Sequence, residues 1–354
     1  MDFGIFVPPV ADSWKTVKRA EELGYTKAWF YDTQMLNSEL FAIMGATAMV
    51  TKKIRLGTGV MIPSNRIAPV AASGLATLNA MAPGRIDWGL STGSTARSTM
   101  GLTRVKQADM EEYIRIVRAL LNGETPEWTF EDKRRKIRFM DPVNVPAHNL
   151  KDPIPLHISA FGPKGRALIA RQKAGFIDAP GSPEQSKRNI DEVKAAWTAE
   201  GNKAEDLFVT NTLSACILRP GENFDSPRVR QVIGPAAMLL MHKLGEEAKG
   251  TPPRPMPPEF QPLVAKYKEI YQSYQPEDAR YLSNHRGHLM YLRPEEEALC
   301  SGDFIKAATW TATKAELRER LRELKSIGYE YLCVEMGYRH PEKLQEWAEV
   351  FEGL

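Results

Sequence analysis

The chain has 354 residues, with 47 lysines and arginines against 44 aspartates and glutamates and a formal charge of +3. The two signs are well mixed, so net charge gives no support to a nucleic-acid binder or a membrane-surface protein. Cys216, Cys300 and Cys333 are far apart and lack CxxC spacing, which excludes a disulfide framework and suits free thiols in a reducing cytoplasm.

The first stretch, MDFGIFVPP, enters a strand (Phe3 to Val7) without a basic flank, and no apolar run of roughly 18 residues follows anywhere. A cytoplasmic protein without a membrane span is therefore expected. Trp14, Val17, Ala20 and Leu23 recur at helical spacing until Gly24. Lys27 to Tyr31 is a second strand ending at Asp32, and Leu40, Ile43, Met44 and Thr47 mark the next helix. Ile54 to Met61, stopped by Pro63, is the third strand. Ala68 to Met81 is an Ala- and Leu-rich helix ended by Pro83-Gly84, and Arg85 to Leu90 is the fourth strand. Both of these strands end in small residues, Gly57-Thr58-Gly59 and Ser91-Thr92-Gly93-Ser94, which let a ligand approach backbone N–H groups at the carboxyl ends of parallel strands.

After the loop TARSTMGLTRVKQ, a helix carries Met110, Tyr113, Ile114, Val117 and Leu121 on one stripe. A hairpin insertion over about 124–150 follows, with Glu127 to Phe130 and Lys136 to Phe139 flanking EDKRRK. Its basic run, Lys133 to Lys136, could meet phosphate or nucleic acid, but a solvated tip needs no ligand. Ile154 to Ser159, Phe176 to Ala179 and Leu207 to Leu218 are strands five to seven. From Arg219 to Thr309 the rhythm breaks into a helical, Pro-rich insertion. A last regular helix with Leu317, Leu321 and Leu324 leads to strand eight, Tyr329 to Glu335, and a closing helix. This order predicts one (β/α)₈ TIM-barrel domain over 1–354, with the insertion after strand seven acting as a lid.

Ser159-Ala160-Phe161-Gly162-Pro163-Lys164 sets small residues and a Pro at the first helical position directly after strand five. It is an anion cradle or an ordinary helix start. Gly57-Thr58-Gly59 lacks the third glycine of a dinucleotide fingerprint, which disfavours a Rossmann enzyme. Asp32 sits at barrel-top depth, to meet a ligand or cap a loop, and Arg97 could meet an anionic substrate group or lie exposed. His285 and His288, one helical turn apart, suit an acid/base pair. No third ligand is marked by spacing and HExxH is absent, so no metal is expected. Met238, Met241, Tyr267 and Tyr271 are core residues or, in a lid, the wall of an apolar substrate cavity.

The stretches LGTGVMIPSNRIAPVAASGLATLNAMAPGRIDWGLSTGS (56–94), HISAFGPKGRALIARQKAGFIDAPG (157–181) and GYTKAWFYDTQ (24–34) resemble the bacterial luciferase-like superfamily of flavin and deazaflavin enzymes. The resemblance implies a non-proline cis peptide at Gly59-Val60 behind the cofactor ring. It sets Thr58, Thr92 and Gly93 beside the cofactor, Asp32 near the ring, and Ser159, Ala160, Phe161, Gly162, Pro163 and Lys164 around the phosphate. Asp32 is followed by Thr33 where many deazaflavin-dependent members carry His, and Ser94-Thr95-Ala96 stands where deazaflavin reductases often place Gly-Asp-Ser-Ala. The leading expectation is accordingly a two-component monooxygenase. Reduced FMN from a separate flavin reductase would react there with O₂ and a small apolar or aromatic substrate, with His285, His288 and Asp32 catalytic. Its alternatives are an oxidoreductase dependent on the deazaflavin coenzyme F420, and a non-catalytic flavin-binding protein. A homodimer is what the family implies; no nucleic-acid or membrane partner is expected.

Overall fold

The computed structural model describes residues 2–141, 144–145, 147–246 and 256–354. The apolar runs form a closed barrel of eight parallel strands: β1 (Asp2–Val7), β2 (Lys27–Phe30), β3 (Arg55–Thr58), β4 (Ile86–Leu90), β5 (Leu156–Ile158), β6 (Gly175–Asp178), β7 (Val209–Asn211) and β8 (Tyr331–Glu335). They pair in order around the ring, and β8 closes on β1 with Phe3 opposite Leu332 and Ile5 opposite Val334. The expected barrel is thus present. Its helices pack outside, and Val17, Ala20, Met44, Leu75, Ile114 and Leu321 bury their apolar faces against the strands.

The barrel interior is filled around Trp29, which packs with Phe6, Ile177 and Cys333. Glycine at 57 and 89 is what admits this indole. A Cβ on Gly57 would lie 2.3 Å from the Trp29 ring, and one on Gly89 would lie 2.1 Å from the Thr58 carbonyl oxygen. The Thr58 hydroxyl locks β3 to β4: it donates to the Gly89 carbonyl at 2.7 Å and accepts from the Gly89 N–H at 2.9 Å. Below Trp29, Lys27 is 2% exposed and sits 3.4 Å from Asp87, which also takes Arg55 at 2.9 Å and His157 at 3.3 Å.

Two strand positions differ from the sequence reading. The hairpin pairs Glu127–Phe130 with Lys133–Lys136, not with 136–139, because Glu131 and Asp132 both adopt positive φ and close a two-residue turn. The basic run is therefore a strand of the hairpin, fully exposed. Strand seven is not continuous to Leu218. It leaves the barrel after Leu213, which still bridges Val334 of β8, and Ile217–Leu218 pairs instead with Ala312–Thr313, so the insertion departs and returns through a two-stranded parallel clasp.

Between the clasp strands, the Pro227–Gly245 and Gln261–Ser273 helices and the short Gly302–Ala308 helix build a second apolar core from Val229, Met238, Met241, Tyr267, Leu299 and Phe304. The segment 251–255 of the Pro-rich spacer lies outside the described residues. No helix among the described residues is long and apolar enough to cross a membrane.

Candidate functional site

A cavity of about 270 Å³ opens at the carboxyl ends of the barrel strands. Six of the strands contribute what lies at or just beyond their last pleat: Pro8 after β1, Tyr31 and Asp32 after β2, Gly59 and Val60 after β3, Ser91 and Gly93 after β4, Ser159 and Phe161 after β5, and Glu335 at the end of β8. The opposite wall comes from the insertion, through Val232, Ile233, Pro235 and Ala236 of the Pro227–Gly245 helix together with His288 and Leu289. The Gly59-Val60 peptide is cis, as the resemblance implied, and Gly93 has φ of +80°.

Of the residues singled out in the sequence, Asp32, Gly59, Val60, Gly93, Ser159, Phe161 and His288 share this cavity. The others lie elsewhere. Thr58 is fully buried behind the wall with its hydroxyl bonded to Gly89, and Thr92 binds Val105 through its backbone carbonyl. Ala160, Gly162, Pro163 and Lys164 continue past Ser159 into the Pro163–Arg171 helix and are not on the cavity surface. That helix has no side-chain cap, and a Cβ on Gly162 would meet nothing within 4 Å, so its first N–H groups are open to an anion. Arg97 turns back to donate to the Thr103 carbonyl.

The apolar candidates in the insertion are corrected in the same way. Met238, Met241 and Tyr267 are fully buried in its own core, where the Pro227–Gly245 and Gln261–Ser273 helices pack against each other and not against the barrel, and half-buried Tyr271 stacks edge-on against Tyr274. The cavity's apolar wall is the preceding stretch of the same helix.

Asp32 is held by Arg66, whose Nη1 lies 3.0 Å and 2.9 Å from its two carboxylate oxygens, and by the Ile62 N–H at 3.2 Å. Burial pushes its carboxyl above the usual range, with Arg66 opposing. Sequence reasoning missed the polar end wall. There Tyr31 donates to Glu335 Oε1 at 3.1 Å, Ser214 donates to the other oxygen, and buried Lys343 donates to the Glu335 carbonyl at 2.6 Å. Burial lowers the Lys343 pKa and raises that of Tyr31 well above its ordinary value. Their only sequence signal was position: Tyr31 and Glu335 end strands at the barrel mouth.

His285 is buried behind His288 and does not reach the cavity. A third imidazole, His242 from the Pro227–Gly245 helix, joins them, its Nδ1 2.8 Å from His288 Nδ1. Burial pushes the pKa of His242 down, and that of His288 well down, so both rings are neutral near pH 7. The expectation that spacing marks no third ligand missed His242, which lies 46 residues before His288.

A closed parallel barrel with its cavity at the strand carboxyl ends, walled by backbone on one side and by an insertion on the other, defines a barrel enzyme scaffold for a sizeable ligand. The sequence profile of the luciferase-like monooxygenase family matches residues 1–331, and the chain belongs to that family of oxidoreductases. The chain is 28% identical to a 5,10-methylenetetrahydromethanopterin reductase of Archaeoglobus fulgidus, over 70% of this chain and 75% of that one. It is 34% identical to an F420-dependent glucose-6-phosphate dehydrogenase of Nakamurella multipartita, over 39% of this chain and 41% of that one, so it spans less than half of that relative. Its fold is similar to that of a coenzyme F420 dependent tetrahydromethanopterin reductase from Methanopyrus kandleri. That structure superposes with a TM-score of 0.72 at 18% identity and covers 98% of this chain and 97% of its own.

Proposed function

We propose that the chain binds a flavin-type cofactor at the barrel mouth, that this cofactor is the deazaflavin coenzyme F420, and that a hydride passes between it and a small organic substrate. The observation that carries this reading is the 34% identity to a protein named for its F420 dependence. It replaces FMN by F420 as the first choice made from sequence.

The residues present fit such a group. Backbone at Gly59, Val60 and Gly93 leaves the cavity wall flat and close, suited to a ring system. The uncapped helix start at Gly162, with Ser159 beside the cavity, suits a phosphate. When bound, the deazaflavin ring supplies or accepts the hydride. The chain's part is to orient and to handle a proton. Asp32 and Arg66 fix the β2 and β3 loops against each other, and the Val232 to Ala236 wall excludes water. Tyr31, hydrogen-bonded to Glu335, is the hydroxyl through which a substrate heteroatom gains or loses its proton.

Reduced FMN with O₂ is the second reading, favoured by Thr33, which stands where the deazaflavin enzymes that the sequence resembles often carry His. Anaerobic titration with reduced F420 and with reduced FMN, followed by admission of oxygen, separates the two. Binding of F420 with no substrate-dependent oxygen uptake is expected. Tight FMN binding with such uptake, and no F420 binding, would overturn the proposal.

A further inference from the structure

We propose that His242, His285 and His288 form a binding site for one divalent d-block cation of the zinc type, inside the insertion and beside the cavity wall. This inference does not depend on which cofactor the barrel holds.

The three imidazoles are all buried, and one ring nitrogen from each lies within 4.8 Å of the others. A tetrahedral ion with metal–nitrogen distances of about 2.0–2.1 Å needs its nitrogens roughly 3.4 Å apart. The observed spacing, 2.8 Å between the Nδ1 atoms of His242 and His288 and at most 4.8 Å across the set, brackets that value.

The outward nitrogens carry a second, independent signal. His242 Nε2 lies 2.6 Å from Glu296 Oε1, His285 Nε2 lies 2.5 Å from Glu246 Oε1, and His288 Nε2 lies 3.3 Å from the Thr95 hydroxyl. The Nε2 atoms of His242 and His288 are thus engaged by oxygens, which leaves their Nδ1 atoms turned toward each other, while His285 lies beside the Glu246 carboxylate without hydrogen-bonding to it. For His242 this is the arrangement by which an outer carboxylate orients a metal-binding histidine.

Without an ion, one proton between His242 and His288 satisfies those two rings, since the Thr95 hydroxyl can then donate to His288 Nε2. It does nothing for His285, whose two ring nitrogens are both buried with no hydrogen-bond partner. A ring 6% exposed with an orphan lone pair is costly in a core and expected at a ligand position. Charge agrees: the carboxylates of Glu246 and Glu296 lie against the cluster, and the fully buried Arg293 is shared between Glu296 and Glu295.

Neutral imidazole suits zinc and its neighbours in the d-block and not magnesium or calcium, which prefer oxygen. Three protein ligands leave a fourth position for water. Because His242 belongs to the Pro227–Gly245 helix and His288 touches Thr95 of the barrel, such an ion ties the insertion to the cavity rim.

The test uses the full chain without a polyhistidine tag, stripped with a chelator and titrated with ZnCl₂ alone and with CoCl₂ alone. One equivalent per chain is expected, with a rise in melting temperature and visible absorption from tetrahedral cobalt. His242→Gln, His285→Gln and His288→Gln should each weaken zinc by at least about 100-fold, and Glu296→Gln by roughly 10–100-fold. Sub-stoichiometric zinc, or stoichiometric zinc that survives all three histidine substitutions, overturns the site. Should the variants fail to fold, X-ray absorption on the zinc-loaded wild-type chain decides: three imidazole ligands support the site and fewer refute it.

Discussion

Asp87→Asn removes the carboxylate that is ion-paired with Lys27 at the floor of the barrel. The two groups are each 2% exposed and 3.4 Å apart. At an effective dielectric of about 20 that separation corresponds to about 5 kcal/mol of attraction. Three rings remain around the Lys27 ammonium after the substitution, those of Trp29, Phe208 and Tyr331 at 5.0, 5.0 and 4.2 Å. They retain part of the stabilisation, so the loss should fall at the low end of the range for breaking a buried pair, about 3 kcal/mol. Urea unfolding followed by circular dichroism reads this as a lower midpoint at unchanged slope. Lys27→Met added to Asp87→Asn should recover at least about 2 kcal/mol, because the stranded charge is then gone. A single-variant loss under about 1 kcal/mol, or a double variant less stable than Asp87→Asn, would refute the assignment of the pair as mutually dependent.

Asp87 also sets an acid limit. Its partners, led by Lys27, hold its carboxyl well below the usual range against the opposing effect of burial. Its stabilisation is therefore complete above about pH 4, the unfolded carboxylate value, and fades as pH falls below it. Melting temperature measured between pH 5 and pH 3 should drop more steeply for the wild type than for Asp87→Asn. Gly162→Asp should raise stability by about 0.5–1 kcal/mol by capping the Pro163–Arg171 helix while weakening cofactor binding about tenfold or more, read by fluorescence titration. An unchanged cofactor affinity would detach the phosphate from that helix. Gly89→Ala should cost more than about 3 kcal/mol or prevent soluble expression, since the added carbon meets backbone at 2.1 Å; Gly162→Ala, with open space, is the near-neutral control. Tyr31→Phe should lower kcat at least about 100-fold while leaving cofactor affinity unchanged, as expected for a group that moves a proton.

The barrel was legible because parallel strands buried on both faces read as apolar runs, and because Gly24, Pro63, Pro83-Gly84 and Gly328 punctuate them. The site was legible only where backbone makes it. Gly59, Gly93 and Ser159 could be named because small residues at strand ends are a local signal, whereas Val60 and its cis peptide came from the family resemblance alone. Lys343, Glu335 and His242 were not, since a charged or imidazole residue in a helix or at a strand end looks the same in sequence whether it meets solvent or a buried partner. Strand seven was misjudged for a related reason: nothing in Ser214 to Cys216 breaks a strand, and it is the pairing of Ser214 and Cys216 with the returning chain at Trp310 and Ala312 that takes them off the barrel. Met238 and Met241 could be read as core or as cavity wall because periodicity gives a helix's apolar stripe but not which neighbour that stripe meets, and the structure places them in the core.

The Pro227–Gly245 helix has two jobs on two different stretches: Val232 to Ala236 face the cavity, while Met238 and Met241 anchor it in a separate core. The cavity can therefore be reshaped by changing residues that touch no barrel strand. Selection acting on this one helix turn could alter what the enzyme admits while the backbone at Gly59-Val60 and the helix start at Gly162 stay as they are. A single barrel with this division of labour is a platform on which new specificities arise by few substitutions, without a matching cost to the stability of the frame.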